Sequence, residues 1–296
     1  MSNLTQNNAE LLKFDGKPSW GAAFPQAMQH VLAMLIGNIT PPMLIAGTCG
    51  LSAEEKILLT QAAMIIGGIT TLLQLFPVFG FGMKLPNVMG VAFAYMPILT
   101  IIGQQYGIAA IFGSQLVAGF VSIFVGMFIG KIRRFFPPIV SGTVVMSIGL
   151  SLYKTAISYI GGGSAAQADG TFGSGKFWFL AILTLIVTLA CNFFGKGLLK
   201  ASGMLIGIVV GYVAALLMGG VVSFADFEAA SWFALPRPFY FGLEFHFDAI
   251  IMMILMYMVQ AVQTIGDVSS TAIGGFGRQC TDQELGGAIK GQGICG

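Results

Sequence analysis

Charge is the scarcest property of this 296-residue chain, with only 9% of its residues Asp, Glu, Lys or Arg. A soluble domain carries roughly 25%, so this chain cannot cover a water-facing surface. Its net charge of +2 leaves no electrostatic footprint for nucleic acid. Cysteine is equally sparse: Cys49, Cys191, Cys280 and Cys295 lack metal-ligand spacing, and three fall in or near apolar segments, as small buried thiols do. No nucleophile, metal set or cofactor fingerprint stands out, which argues against an enzyme and against any bound cofactor. The start carries Glu10, Lys13, Asp15 and Lys17, without the basic opening and cleavage site of a secretory signal. Residues 1–23 are expected to be a cytoplasmic polar tail.

What the chain has in abundance is apolar length. Hydrophobic residues make up 56% of it and the mean hydropathy is +0.85. Its 41 dispersed glycines suit close helix packing in lipid. Crossing the hydrocarbon takes about 20 helical residues. Stretches 24–46, 57–80, 106–129, 139–159, 177–194, 202–222 and 248–273 are candidate spans. Between the second and third of these lies 87–102, apolar but short and containing Pro97. Counting it as a crossing gives eight and places ten of the fourteen Lys and Arg inside, including the cluster Lys131, Arg133 and Arg134. The N-terminus is then cytoplasmic. Residues 223–247, aromatic and acidic, read as an external interfacial segment.

Three elements interrupt the apolar pattern. Span one holds His30, then Asn38, Thr40, Pro41 and Pro42. His30 is either a packing histidine or a gate whose charge changes near neutrality. Pro41-Pro42 should bend or end the helix, with Asn38 and Thr40 able to satisfy freed carbonyls. The short segment Leu85-Pro86-Asn87-Val88-Met89-Gly90-Val91-Ala92-Phe93-Ala94-Tyr95 has little bulk at Gly90, Ala92 and Ala94. A planar ligand could stack on Phe93 or Tyr95 and bond to peptide groups, or the segment could simply pack. It is expected to be extended over Val91 to Tyr95. In the last span, Gln260, Gln263, Thr264, Asp267 and Thr271 recur at three- and four-residue intervals, with Gly266 among them, and so share one helix face. Such a face cannot look at lipid. It is a structural network, or a solute or coupling site in which Gln263 offers both donor and acceptor and Asp267 needs a partner or a proton.

At these three elements the chain resembles the nucleobase–cation symporters of the nucleobase–ascorbate transporter family, the bacterial xanthine, uric acid and uracil permeases. The resemblance rests on Gln29-His30-Val31-Leu32-Ala33-Met34, on Leu85-Pro86 through Gly90 with Phe93-Ala94-Tyr95, and on Gly266-Asp267. It runs from about Phe24 onward. It implies an all-α membrane fold, the first part of a fourteen-span transporter built as two inverted seven-span repeats, with a short strand in span three. A core domain would take spans one to four (24–130) and eight (248–296), and a gate domain spans five to seven (131–222). Ala92 and Phe93 would line the base site against Gln263, which stands where these permeases have a Glu. Asp267 and His30 would serve coupling or gating, with Gln260, Thr264, Gly266, Tyr95 and Asn38 as near-site structure.

The implied activity is secondary uptake of a purine base, xanthine or uric acid before uracil, with a proton or sodium ion. Partners would be the nucleobase, the ion, the bilayer of the plasma membrane and a second copy in a homodimer. An anion or sulfate transporter of the same architecture is the alternative class, and a non-transporting fragment the third. The span-ten signature of these permeases has no counterpart before Gly296, so the chain reads as C-terminally incomplete. By itself it is expected to insert without driving concentrative transport.

Overall fold

The computed structural model describes residues 16, 19–132, 138–195, 203–219, 237 and 239–295. Among them the elements run α1 (Trp20–Thr48), α2 (Ala53–Leu75), a 3₁₀ turn (Phe93–Tyr95), α3 (Met96–Tyr106), α4 (Ile108–Met127) and the single turn α5 (Ile129–Ile132). Then follow α6 (Pro138–Ser151), α7 (Tyr153–Ile160), α8 (Gly163–Ala168), α9 (Gly175–Phe194), α10 (Gly203–Met218), α11 (Phe247–Phe276) and α12 (Asp282–Cys295). Arg133, Arg134 and most of the expected interfacial segment lie outside the described residues, as does most of the N-terminal tail.

Local chemistry sets the helix ends. Ser52 and Glu55 form a reciprocal capping box at α2, with Glu55 Oε2 accepting the Ser52 N–H at 2.8 Å. Thr281 and Glu284 repeat it at α12. Pro97 sits in the first turn of α3, where its missing N–H costs nothing. α11 stops at Gly277, whose φ of 62° is left-handed.

The expectation of eight crossings and a strand is corrected here. Among the described residues four helices are long and apolar enough to cross a membrane: α2, α4, α9 and α11, with α10 shorter. Stretch 139–159 is broken at Leu152 into α6 and α7. Stretch 87–102 yields only the 3₁₀ turn and the first part of the eleven-residue α3, which runs on to Tyr106. Among the described residues there is no β-strand, only an isolated bridge between Val78 and Phe81. A strand needs a neighbour for its ladder, and the backbone of 89–91 spends its hydrogen bonds on side chains of α1 and α2 instead. The extended conformation reaches Ala92 (φ −81°, ψ 124°) and Phe93 already enters the 3₁₀ turn, so the expected extension to Tyr95 falls short. α1 likewise does not end at Pro41-Pro42 but continues to Thr48.

The chain groups into two compact units. One comprises residues up to Pro25, Met34–Ser151 and Pro236–Gly296. Its core has two clusters, one around Met83, Leu85, Ile265, Leu285 and Ile289, the other around Met96, Ile102, Met253 and Tyr257. α12 lies against α4 and α2 through glycine. A β-carbon at Gly293 would stand 2.7 Å from the Gly119 carbonyl oxygen, and one at Gly286 2.7 Å from that of Gly126. Missing side chains let the two backbones touch. The other unit comprises Gln26–Ala33 and Leu152–Leu235. There Gly207 and Gly211 of α10 meet Thr188 and Thr184 of α9 with no room for a methyl.

Glycine packing gives a direct test. The Gly287 carbonyl accepts the Gly82 N–H at 2.8 Å, and a β-carbon at Gly287 would collide with the Gly82 carbonyl oxygen. Gly287→Ala should cost about 1–3 kcal/mol, because backbone cannot swing aside. Gly68→Ala has open space within 4 Å and should gain up to about 1 kcal/mol from helix propensity. Melting of the detergent-solubilised protein should show a lower midpoint for the first and an equal or higher one for the second.

Candidate functional site

The first unit brings the short segment after Leu85 next to α11. The 3₁₀ turn packs on α11: Phe93 and Tyr95 join the cluster containing Met253 and Tyr257. The Tyr95 and Tyr257 rings lie 5.1 Å apart and tilted by 48°, a favourable aromatic geometry. Ala92, immediately before the turn, is half-buried.

α11 is amphipathic in an unusual sense. Ala261, Ile265, Val268 and Ala272 pack on Met83, Leu85 and α12. The polar residues distribute by depth along the same helix. Gln260 and Thr264 are buried, Gln263 and Gly266 half-buried, and Asp267 exposed. The Thr264 hydroxyl stands 2.9 Å from the Gln260 carbonyl oxygen and 2.7 Å from Gln292 Oε1, and its single proton is shared between them. The Gln263 side chain hydrogen-bonds the Asp267 carboxylate one turn on. Ser270 and Thr271 both donate to the Asp267 carbonyl at 2.9 Å.

On α11 two acceptors are left over; a third, Gln74 Oε1, stands on α2. The Oε1 atoms of Gln260 and Gln263 are buried and have no hydrogen-bond partner. A buried acceptor without a donor costs about 1–3 kcal/mol, so such atoms are where a donor-bearing ligand gains most. Among the described residues no group of His, Cys, Asp and Glu could hold a metal ion.

Asn38, only 2% exposed, belongs to this unit and reaches the short segment, where its Oδ1 accepts the Val91 N–H at 3.0 Å. It is therefore a partner of the 89–91 backbone, besides any effect on the carbonyls before Pro41. His30 is exposed and groups with the second unit. The composition signals did not point to Thr71, Tyr257 or Gln292. Thr71 and Tyr257 sit inside apolar helices, and Gln292 follows the last hydrophobic stretch in a glycine-rich run.

These features define a multi-pass α-helical membrane protein with unpaired amide acceptors in its interior beside an irregular, aromatic-flanked segment. Over residues 21–295 the chain matches the xanthine/uracil permease family, described as "Permease family". The chain belongs to this family of bacterial purine and uracil permeases. It is 36% identical over 275 residues to the uric acid permease PucJ of Bacillus subtilis (strain 168), covering 92% of this chain and 61% of the relative. The nucleobase transporter PlUacP of Paenibacillus larvae is 38% identical over 240 residues, 80% of this chain and 54% of that protein. The xanthine permease XanQ of Escherichia coli (strain K12) is 30% identical over 283 residues, with 92% and 60% covered. The chain thus spans little more than half the length of these curated relatives.

Glu284, at the start of the helix that carries Gln292, offers a pH test. Hydrogen bonds from Arg278, at 2.9 Å to one carboxylate oxygen, lower its pKa to about 2, with the Thr281 N–H and hydroxyl adding to the effect against partial burial. A depressed folded-state pKa stabilises above the ordinary Glu value of about 4.3, and the contribution is lost as pH falls toward 2. Arg278→Gln should bring the Glu284 pKa back up, so the acid limb of a melting-temperature profile should begin at higher pH than in the unsubstituted protein.

Proposed function

We propose that the permease to which this chain belongs carries out cation-coupled uptake of a purine base, xanthine or uric acid, across the plasma membrane. The observation that carries this reading is the pair of buried, unpartnered amide oxygens at Gln260 and Gln263, two turns and one turn before Asp267 on the helix that packs against Phe93. A neutral planar heterocycle with ring N–H groups supplies the donors these oxygens want and a face for the neighbouring rings. A sulfate or other anion would meet acceptors where it needs donors, which disfavours the anion-transporter alternative. The names of the relatives, uric acid and xanthine permeases, point the same way.

In this reading Gln263, Ala92 and Phe93 contact the base, and Gln260, Thr264, Gly266, Tyr95 and Asn38 shape the pocket. Gln263 cannot bind or release a proton, so coupling falls to Asp267, with proton or sodium as the driving ion and His30 as a gating residue. Residues 24–130 and 248–296 act as the moving core and 131–222 as the gate. The N-terminus is cytoplasmic, and two copies associate.

The test is radiolabelled xanthine and uric acid uptake by proteoliposomes of the permease under imposed proton or sodium gradients, with uracil and sulfate as competitors. Saturable, gradient-driven purine uptake that sulfate leaves untouched is expected. Gln263→Ala should raise the KM about 5- to 150-fold, the equivalent of a lost buried hydrogen bond of about 1–3 kcal/mol. Gln263→Glu keeps the acceptor and adds a titratable group at this position, so the pH profile of uptake should change from that of the unsubstituted protein. An unchanged KM in the alanine variant would remove Gln263 from the site.

A further inference from the structure

The segment before the 3₁₀ turn has no regular secondary structure, becomes extended at Ala92 and has no strand beside it among the described residues. Its hydrogen bonds are made instead by two side chains from different helices. Asn38 of α1 accepts the Val91 N–H at 3.0 Å. Thr71 of α2 accepts the Met89 N–H at 3.0 Å, and its hydroxyl stands 2.8 Å from the Gly67 carbonyl and 3.2 Å from the Met89 carbonyl. The fit around Asn38 is close. A β-carbon at Gly90 would collide with Asn38 Oδ1, and one at Gly67 would stand 2.8 Å from Nδ2. Two glycines, one on the segment and one on α2, thus leave room for a single amide, which is almost fully buried.

We propose that Asn38 and Thr71 are positioning residues that clamp the backbone of 89–91 and so fix where Ala92 and Phe93 present themselves to a base. The clamp itself stands on the geometry above; its consequence for the base rests on the reading given under Proposed function. Without the clamp the segment has two part-buried peptide N–H groups to satisfy elsewhere, and the cost of leaving them open moves it out of place. Asn38 and Thr71 need no contact with the base. They act on affinity through the two residues that follow.

Hydrogen–deuterium exchange on the permease in lipid nanodiscs reads the clamp directly. Asn38→Ala should speed exchange of the Val91 amide about 5- to 13-fold, and Thr71→Val that of Met89, each equivalent to losing a hydrogen bond of about 1–1.5 kcal/mol. Asn38→Asp keeps the acceptor oxygen and Thr71→Ser keeps the hydroxyl, so exchange in both should stay near that of the unsubstituted protein. Exchange over α9, distant in sequence, controls for global unfolding. Unaltered exchange at Val91 in Asn38→Ala and at Met89 in Thr71→Val, or equal acceleration in the conservative variants, would overturn the clamp. A xanthine-binding titration is the second arm: Kd should rise in Asn38→Ala and Thr71→Val and recover in the conservative pair. Altered exchange with an unchanged Kd would leave the clamp standing and overturn its role at the base. Xanthine binding absent from the unsubstituted protein would instead count against the functional reading, with the exchange arm still deciding the clamp.

Discussion

A peptide group taken out of water must find a hydrogen-bond partner, and in a lipid-embedded fold only helices, closed sheets or suitably placed side chains can supply one. Residues 89–91 are where this constraint bears hardest. The chain leaves α2, runs irregularly past Asn38 of α1 and Thr71 of α2, and re-enters helical structure at Phe93. Asn38 and Thr71 satisfy it along the way. Their positions dictate the glycines at 67 and 90, and these in turn set how near the segment lies to both helices. The turn that follows places Phe93 and Tyr95 on α11, which is how an irregular stretch comes to share a neighbourhood with Gln260 and Gln263.

The same economy of side chains appears where α12 meets the rest of its unit. Gln74 donates to the Ala288 carbonyl at 2.9 Å, Gly82 to that of Gly287, and the glycines of α4 and α12 touch backbone to backbone. α12 has little hydrophobic character of its own, so it is held by fit and by hydrogen bonds. Through Thr264 and Gln292 this packing reaches the polar face of α11. Rigid support of that kind suits amide groups that must point one way, since a misdirected buried amide is as costly as an absent one.

Apolar length, scarcity of charge and the three polar interruptions were enough to read a multi-pass helical membrane protein of the permease family from the residues alone. They also put Gln260, Gln263, Thr264 and Asp267 on one helix, because a period of three to four is a local property. Local patterns could not tell how far that face is buried: neighbours packed on α11 decide that Gln260 is enclosed and Asp267 open. Nor could hydropathy foresee the break at Leu152 or the helical fate of Phe93–Tyr95, since both depend on which backbone groups find partners.

By itself, then, the sequence determined the solvent this protein lives in, the family it belongs to and the residues capable of recognition chemistry, all of which are written in residue type and spacing. Only the tertiary structure decided that 89–91 is clamped by Asn38 and Thr71 in place of a strand partner, that α12 is a packed helix, and that the amide oxygens of Gln74, Gln260 and Gln263 are left without donors. Each of these turns on contacts between residues far apart in the chain, up to 214 positions in the case of Gln74 and Ala288, and no local pattern encodes a distance of that kind.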